Sequence, residues 1–123
     1  MRWIAIGAGG ALGSMARHMV NEIVVAMGLR TTPWSTALVN LTGCFVIGVL
    51  AGLVAHERLT LSATLRAFLF VGVLGGFTTF SSLGLDTLTL VSGGERGLAI
   101  ANVLAQVGLG LVAVFAGFGL GRL

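Results

Sequence analysis

Residues 31–55, 67–85 and 97–121 form three stretches of 25, 19 and 25 residues without a single formal charge. A helix that crosses a bilayer needs about 20 mostly apolar residues, so each stretch is long enough or nearly so. An earlier window, residues 3–16, is shorter. It continues through Met19, Val20, Ile23, Val24, Val25 and Ala26, so its helix is expected to run on past Arg17. The pattern predicts four spans, at residues 3–27, 34–55, 62–91 and 97–121, within one membrane domain covering residues 1–123. Pro33 and the Gly93-Gly94 pair are ordinary boundary signals between them.

Composition excludes the soluble alternatives. Only 9% of residues are charged and 56% are hydrophobic, whereas a soluble domain carries about 25% charged residues. Cys44 is the one cysteine, which rules out a disulfide scaffold. The net charge of +3 comes from arginines scattered singly, so no nucleic-acid surface is expected. Arg2 ahead of an apolar run resembles a secretory signal, but no small-residue cleavage site follows and three more spans do. With four spans both termini share a side. Arg2, Arg58, Arg66 and Arg122 then oppose Arg30 and Arg96, a weak bias under the positive-inside rule. Orientation is poorly encoded, which is compatible with insertion both ways round.

Helices in lipid associate through close packing and interhelical hydrogen bonds. Gly9/Gly13, Gly48/Gly52, Gly72/Gly76 and Gly117/Gly121 are small-residue pairs four apart, and packing is their plainest role. Gly75-Gly76-Phe77-Thr78-Thr79-Phe80-Ser81-Ser82 asks for more. Two glycines followed by β-branched threonines propagate a helix poorly. A break at membrane depth is tolerated only where protein or a polar cavity covers it, and its carbonyls can hold a hard cation such as Na⁺. The competing reading is a straight helix packed tightly at Gly75 and Gly76.

Ionisable and polar groups inside spans are functional candidates because burying them is costly. Arg17 offers a positive vestibule for an anion, or snorkels to a headgroup. His18 and Glu22 share a helix face, and Asp86 could cap or pair near the end of its span. Asn40 and Gln106 each bring two N–H donors and an acceptor, either for a ligand or as interhelical glue. Phe77 and Phe80 lie three apart, and phenyl edges carry partial positive charge that an anion can meet. Catalysis has no footing here: the four carboxylates are dispersed, Cys44 has no nearby His, and the His residues lie in different segments. Gly7-Ala8-Gly9-Gly10-Ala11-Leu12 lacks the third glycine and the strand context of a dinucleotide site.

Four pieces taken together resemble the CrcB/Fluc fluoride channels over essentially the whole chain: residues 9–13 leading to Arg17, Val39-Asn40-Leu41 with Gly43, the stretch from Gly75 to Ser81, and Asn102-Val103. The resemblance implies an antiparallel, dual-topology homodimer of four-helix subunits in the inner (plasma) membrane, with the third helix broken near its middle. Two narrow pores would give passive fluoride efflux and reduce cytoplasmic fluoride toxicity, without enzymatic activity. It further implies that Asn40 donates to fluoride and that Phe80 presents a ring edge. Thr79 and Ser81 would supply hydroxyls, Gln106 the polar side chain of the last helix, and Arg17 the vestibule. Backbone carbonyls of Gly75 and Thr78 would hold a structural Na⁺ at the dimer centre. Two positions depart from the family pattern: Leu83 stands where a second pore phenylalanine is common, and Gly110 where a hydroxyl is common. Small multidrug transporters are the rival class. They rely on a membrane-embedded glutamate, for which Glu22 is the only candidate.

Overall fold

The computed structural model describes residues 1–123 and is entirely helical. Helix α1 spans Arg2–Ala26 and α2 spans Trp34–Ala55. The third transverse element is composite. It runs through α3 (Ala63–Arg66), a π-helical segment Ala67–Leu74, the single turn α4 (Gly75–Phe77) and, past a break, α5 (Phe80–Ser92). Helix α6 spans Arg96–Gly121. Three helical stretches, Trp34–Ala55, Ala63–Ser92 and Arg96–Gly121, are long and apolar enough to cross a membrane. The chain is a membrane protein. Helix α1 has the length at 25 residues but is not among those three. Arg17, His18, Asn21 and Glu22 make its second half too polar for the hydropathy that the others reach.

Turn chemistry closes the connections. Gly28 and Gly94 adopt φ of +75° and +81°, a left-handed conformation that only glycine takes without strain. Across the same end of the bundle, Arg30 forks onto Glu95 with N···O distances of 2.9 and 3.1 Å. That hydrogen bonding, with the guanidinium charge, holds the Glu95 carboxyl below the usual carboxylate range. Its folded-state pKa is therefore depressed, so the tie is present above the normal glutamate pKa and is lost as pH falls through the lowered one. Both side chains are exposed, so Glu95→Gln should leave folding nearly unchanged at neutral pH. A carbon-13 titration of Glu95 should show its midpoint below that of a model peptide, and a normal midpoint would remove the tie.

Glycines set the helix spacing. A Cβ on Gly48 would overlap the Val114 carbonyl oxygen, and one on Gly117 would overlap that of Phe45. The α2–α6 seam is thus backbone against backbone. Helix α1 docks equally closely on the π segment, where a Cβ on Gly9 would lie 2.6 Å from the Phe68 oxygen. A Cβ on Gly76 would lie as close to the Gly10 oxygen, so the packing expected for these glycines is present. The helix continues through Gly75 and Gly76 and breaks instead at Thr78 and Thr79, both in extended conformation (ψ 160° and 120°).

Candidate functional site

The break is built by side chains that replace the helical ladder. Asn40, from the first third of α2, accepts from the Thr79 N–H at 2.8 Å through Oδ1 and donates to the Thr79 carbonyl at 3.0 Å through Nδ2. One amide side chain thus satisfies both backbone polar groups of a residue at the break. Thr79 then caps α5, its Oγ1 accepting from the Ser82 N–H at 3.2 Å. A Cβ on Gly43 would overlap the Thr78 methyl, so only glycine lets the break lie against α2.

Two donors diverted here leave two carbonyls free of their helical partners. The Thr79 N–H that would close a turn onto Gly75 goes to Asn40, and the Ser82 N–H that would close onto Thr78 goes to Thr79 Oγ1. Gly75 and Thr78 are the carbonyl pair to which the family resemblance points. Oxygen donors of this kind suit a hard cation. No group of three or more His, Cys, Asp or Glu side chains gathers anywhere to offer a side-chain metal site.

The break lines a cavity of about 350 Å³ whose wall includes Asn40, Thr78, Thr79, Phe80, Leu83 and Gln106. Cys44 also lines it, and a side chain at Gly110 would point toward Cys44, with Cβ 3.4 Å from its Sγ. The hydroxyl missing at Gly110 is therefore missing near this wall. Leu83 is buried in the wall, with a branched alkyl group where an aromatic edge was in question. Phe80 is 83% exposed, so the wall is open on that side. Ser81 is not part of the lining; it lies against Thr79 Oγ1 at 3.1 Å and faces outward.

A second, polar cavity of about 170 Å³ contains Arg17, Asn21, Thr32, Ser35 and Asp86. Thr79 lines both cavities, so the break is the partition between an antechamber and the central space. Thr32 donates to Asp86 Oδ1 at 2.8 Å, leaving the buried Oδ2 without a partner. Ser35 donates to Asn21 across the antechamber. Sequence reasoning left Asn21, Thr32 and Ser35 unassigned, because hydroxyl and amide residues near helix ends carry no signal of which neighbour they meet. Glu22 is exposed, 3.5 Å from His18, and lines neither cavity. It has no buried pocket in which to bind a proton or drug.

Gln106 ties α6 to this assembly: its Oε1 accepts from Asn40 Nδ2 at 2.7 Å and its Nε2 donates to Asn102 Oδ1 at 2.9 Å. The amides of α2 and α6 thus belong to one network.

The family model described as CrcB-like protein, Camphor Resistance (CrcB), matches residues 4–118. Curated relatives match nearly end to end. The "Fluoride-specific ion channel FluC" of Rhizobium meliloti (strain 1021) is 44% identical over 119 residues, covering 97% of this chain and 94% of the relative. Its namesake from Rhodospirillum centenum is 50% identical over 122 residues, with the same two coverages. That of Thermus thermophilus is 44% identical over 120 residues, covering 98% and 94%.

Proposed function

The chain belongs to the CrcB-like family, whose relatives are named for a fluoride-specific channel and not for an enzyme, and we propose that it conducts fluoride passively across the inner (plasma) membrane. Efflux down its gradient would lower cytoplasmic fluoride and its toxicity. The observation that carries the reading is the Asn40–Thr79 clamp. It holds a helix break open beside a mostly apolar cavity furnished with neutral N–H groups, a hydroxyl and a phenyl ring. Fluoride is small and strongly hydrated, so a selective path must replace its water with close donors while binding weakly enough to release it. Chloride is larger, and this path offers it no formal charge at the centre.

The working unit is an antiparallel, dual-topology homodimer with two pores. The open flank at Phe80 supports it, since a second copy would complete the wall. So does the weak arginine bias. The freed carbonyls of Gly75 and Thr78 are suited to a structural Na⁺ between subunits, where two pairs would meet. Arg17, beside the antechamber hydroxyls, would draw anions toward Thr79.

Liposomes loaded with potassium fluoride or chloride and treated with a potassium ionophore test this directly. Protein-dependent fluoride loss without chloride loss is expected, and equal loss of both would overturn selectivity. Phe80→Leu should slow fluoride by about tenfold through loss of the ring edge, with chloride still retained. An unchanged fluoride rate in that variant would remove Phe80 from the path.

A further inference from the structure

The donors that a fluoride path needs from Asn40 are already taken. One N–H of Nδ2 goes to the Thr79 carbonyl and the other to Gln106 Oε1, at 3.0 and 2.7 Å. An amide nitrogen has only two. An anion arriving at Asn40 therefore meets an oxygen lone pair of Gln106 where it needs a hydrogen. Behind Gln106 stands Asn102, 6% exposed, whose Oδ1 accepts from Gln106 Nε2 while its own Nδ2 is buried with no partner. An unpaired buried donor is costly, and a half-turn would exchange it for an unpaired carbonyl oxygen, the better tolerated of the two.

Given the proposed fluoride pathway, we infer that Asn40, Gln106 and Asn102 form a switchable amide relay. In it, anion binding at Asn40 is coupled to a half-turn of both the Gln106 and the Asn102 amides. After the half-turn, Asn102 Nδ2 donates to Gln106 Oε1, and Asn102 Oδ1 takes the unpartnered position that Nδ2 held. Gln106 Nε2 takes the place of the oxygen that faced Asn40. Two N–H donors then face one another across a gap that repels them unless an acceptor lies between. Empty, the relay fills its own donor with Gln106 Oε1; occupied, it presents a second donor. No proton or covalent bond changes hands. Asn102 does not line the central cavity, so it acts as a positioning residue through Gln106.

The test uses the full-length protein in lipid nanodiscs, with nitrogen-15 resonances of the side-chain amides followed during titration with sodium fluoride or sodium chloride. Expected is a fluoride-dependent shift of Asn102 and Gln106 that saturates together with that of Asn40, and no shift with chloride. Asn102 signals that stay fixed while Asn40 responds would overturn the relay and leave the pathway standing. If neither responds and wild-type liposomes pass no fluoride, the pathway itself fails, and the relay with it. Two variants add a flux readout. In Asn102→Asp, an acceptor-only group holds Gln106 in its present orientation, and fluoride flux should fall about tenfold or more. In Asn102→Leu, Gln106 loses its partner in both orientations and turns without bias, so flux should fall, but clearly less than in the aspartate variant. A structural role would instead make the loss of the hydrogen bond in the leucine variant the damaging change, so a leucine variant as slow as the aspartate one counts against the relay.

Discussion

Asn40→Asp should reduce fluoride flux in liposomes by about 100-fold or more, because it removes the Nδ2 donor and puts a like charge at the centre of the donor network. One carboxylate oxygen can still accept the Thr79 N–H. The other would face the Thr79 carbonyl, now 3.0 Å from Nδ2, and would hold Gln106 turned with Nε2 toward it. Lone pairs would oppose one another at hydrogen-bonding distance, and a like charge would meet the arriving anion. Asn40→Leu separates the two effects. It introduces no charge but strands the Thr79 N–H and carbonyl, each at a cost of about 1–3 kcal/mol. Both variants should lose flux, whereas the leucine one should also lower the thermal midpoint in detergent. Wild-type fluoride flux in Asn40→Asp would dismiss the clamp as part of the path.

Gly48→Val should be the most damaging packing change. Its branched side chain would enter the Val114 backbone across the α2–α6 seam, where neither helix can retreat without losing the facing contact of Gly117 on Phe45. Overpacking against backbone costs about 3 kcal/mol or more. The measurement is the fraction of monodisperse protein after mild heating in detergent, and a variant that survives like wild type would refute the tight seam. Gly7→Ala is the control. A Cβ there meets nothing within 4 Å, and alanine favours a helix by about 1 kcal/mol, so that variant should be unharmed.

Much of this architecture was legible because the bilayer restricts the choices. Uncharged runs of span length leave helices as the only answer. Pro33 and Gly93-Gly94 mark ends that match Trp34 and Ser92 within a residue or two. The helix-weakening stretch from Gly75 to Ser82 pointed to a break, but not to its place. Glycines and threonines both weaken a helix, and the local sequence does not say which yields. Here the glycines stay helical because Gly76 must approach Gly10, and the threonines yield because Asn40 is there to receive Thr79. The π segment Ala67–Leu74 had no signature at all: Ala-Phe-Leu-Phe-Val-Gly-Val-Leu is a continuous apolar run that reads equally as an α-helix.

The sequence alone determined that this chain lives in a membrane as helices, that its third span carries a stretch unfavourable to a helix, and that Asn40 and Gln106 are exceptional residues to bury. Those conclusions rest on transfer energies and backbone propensities, which act residue by residue. Tertiary structure decided which donor meets which acceptor. It made Asn40 a clamp on Thr79, placed Thr79 between two cavities, put Leu83 in the wall while Ser81 faces outward, and joined Gln106 to Asn102. A hydrogen bond depends on distance and direction between atoms far apart in the chain, and only the packed helices supply both.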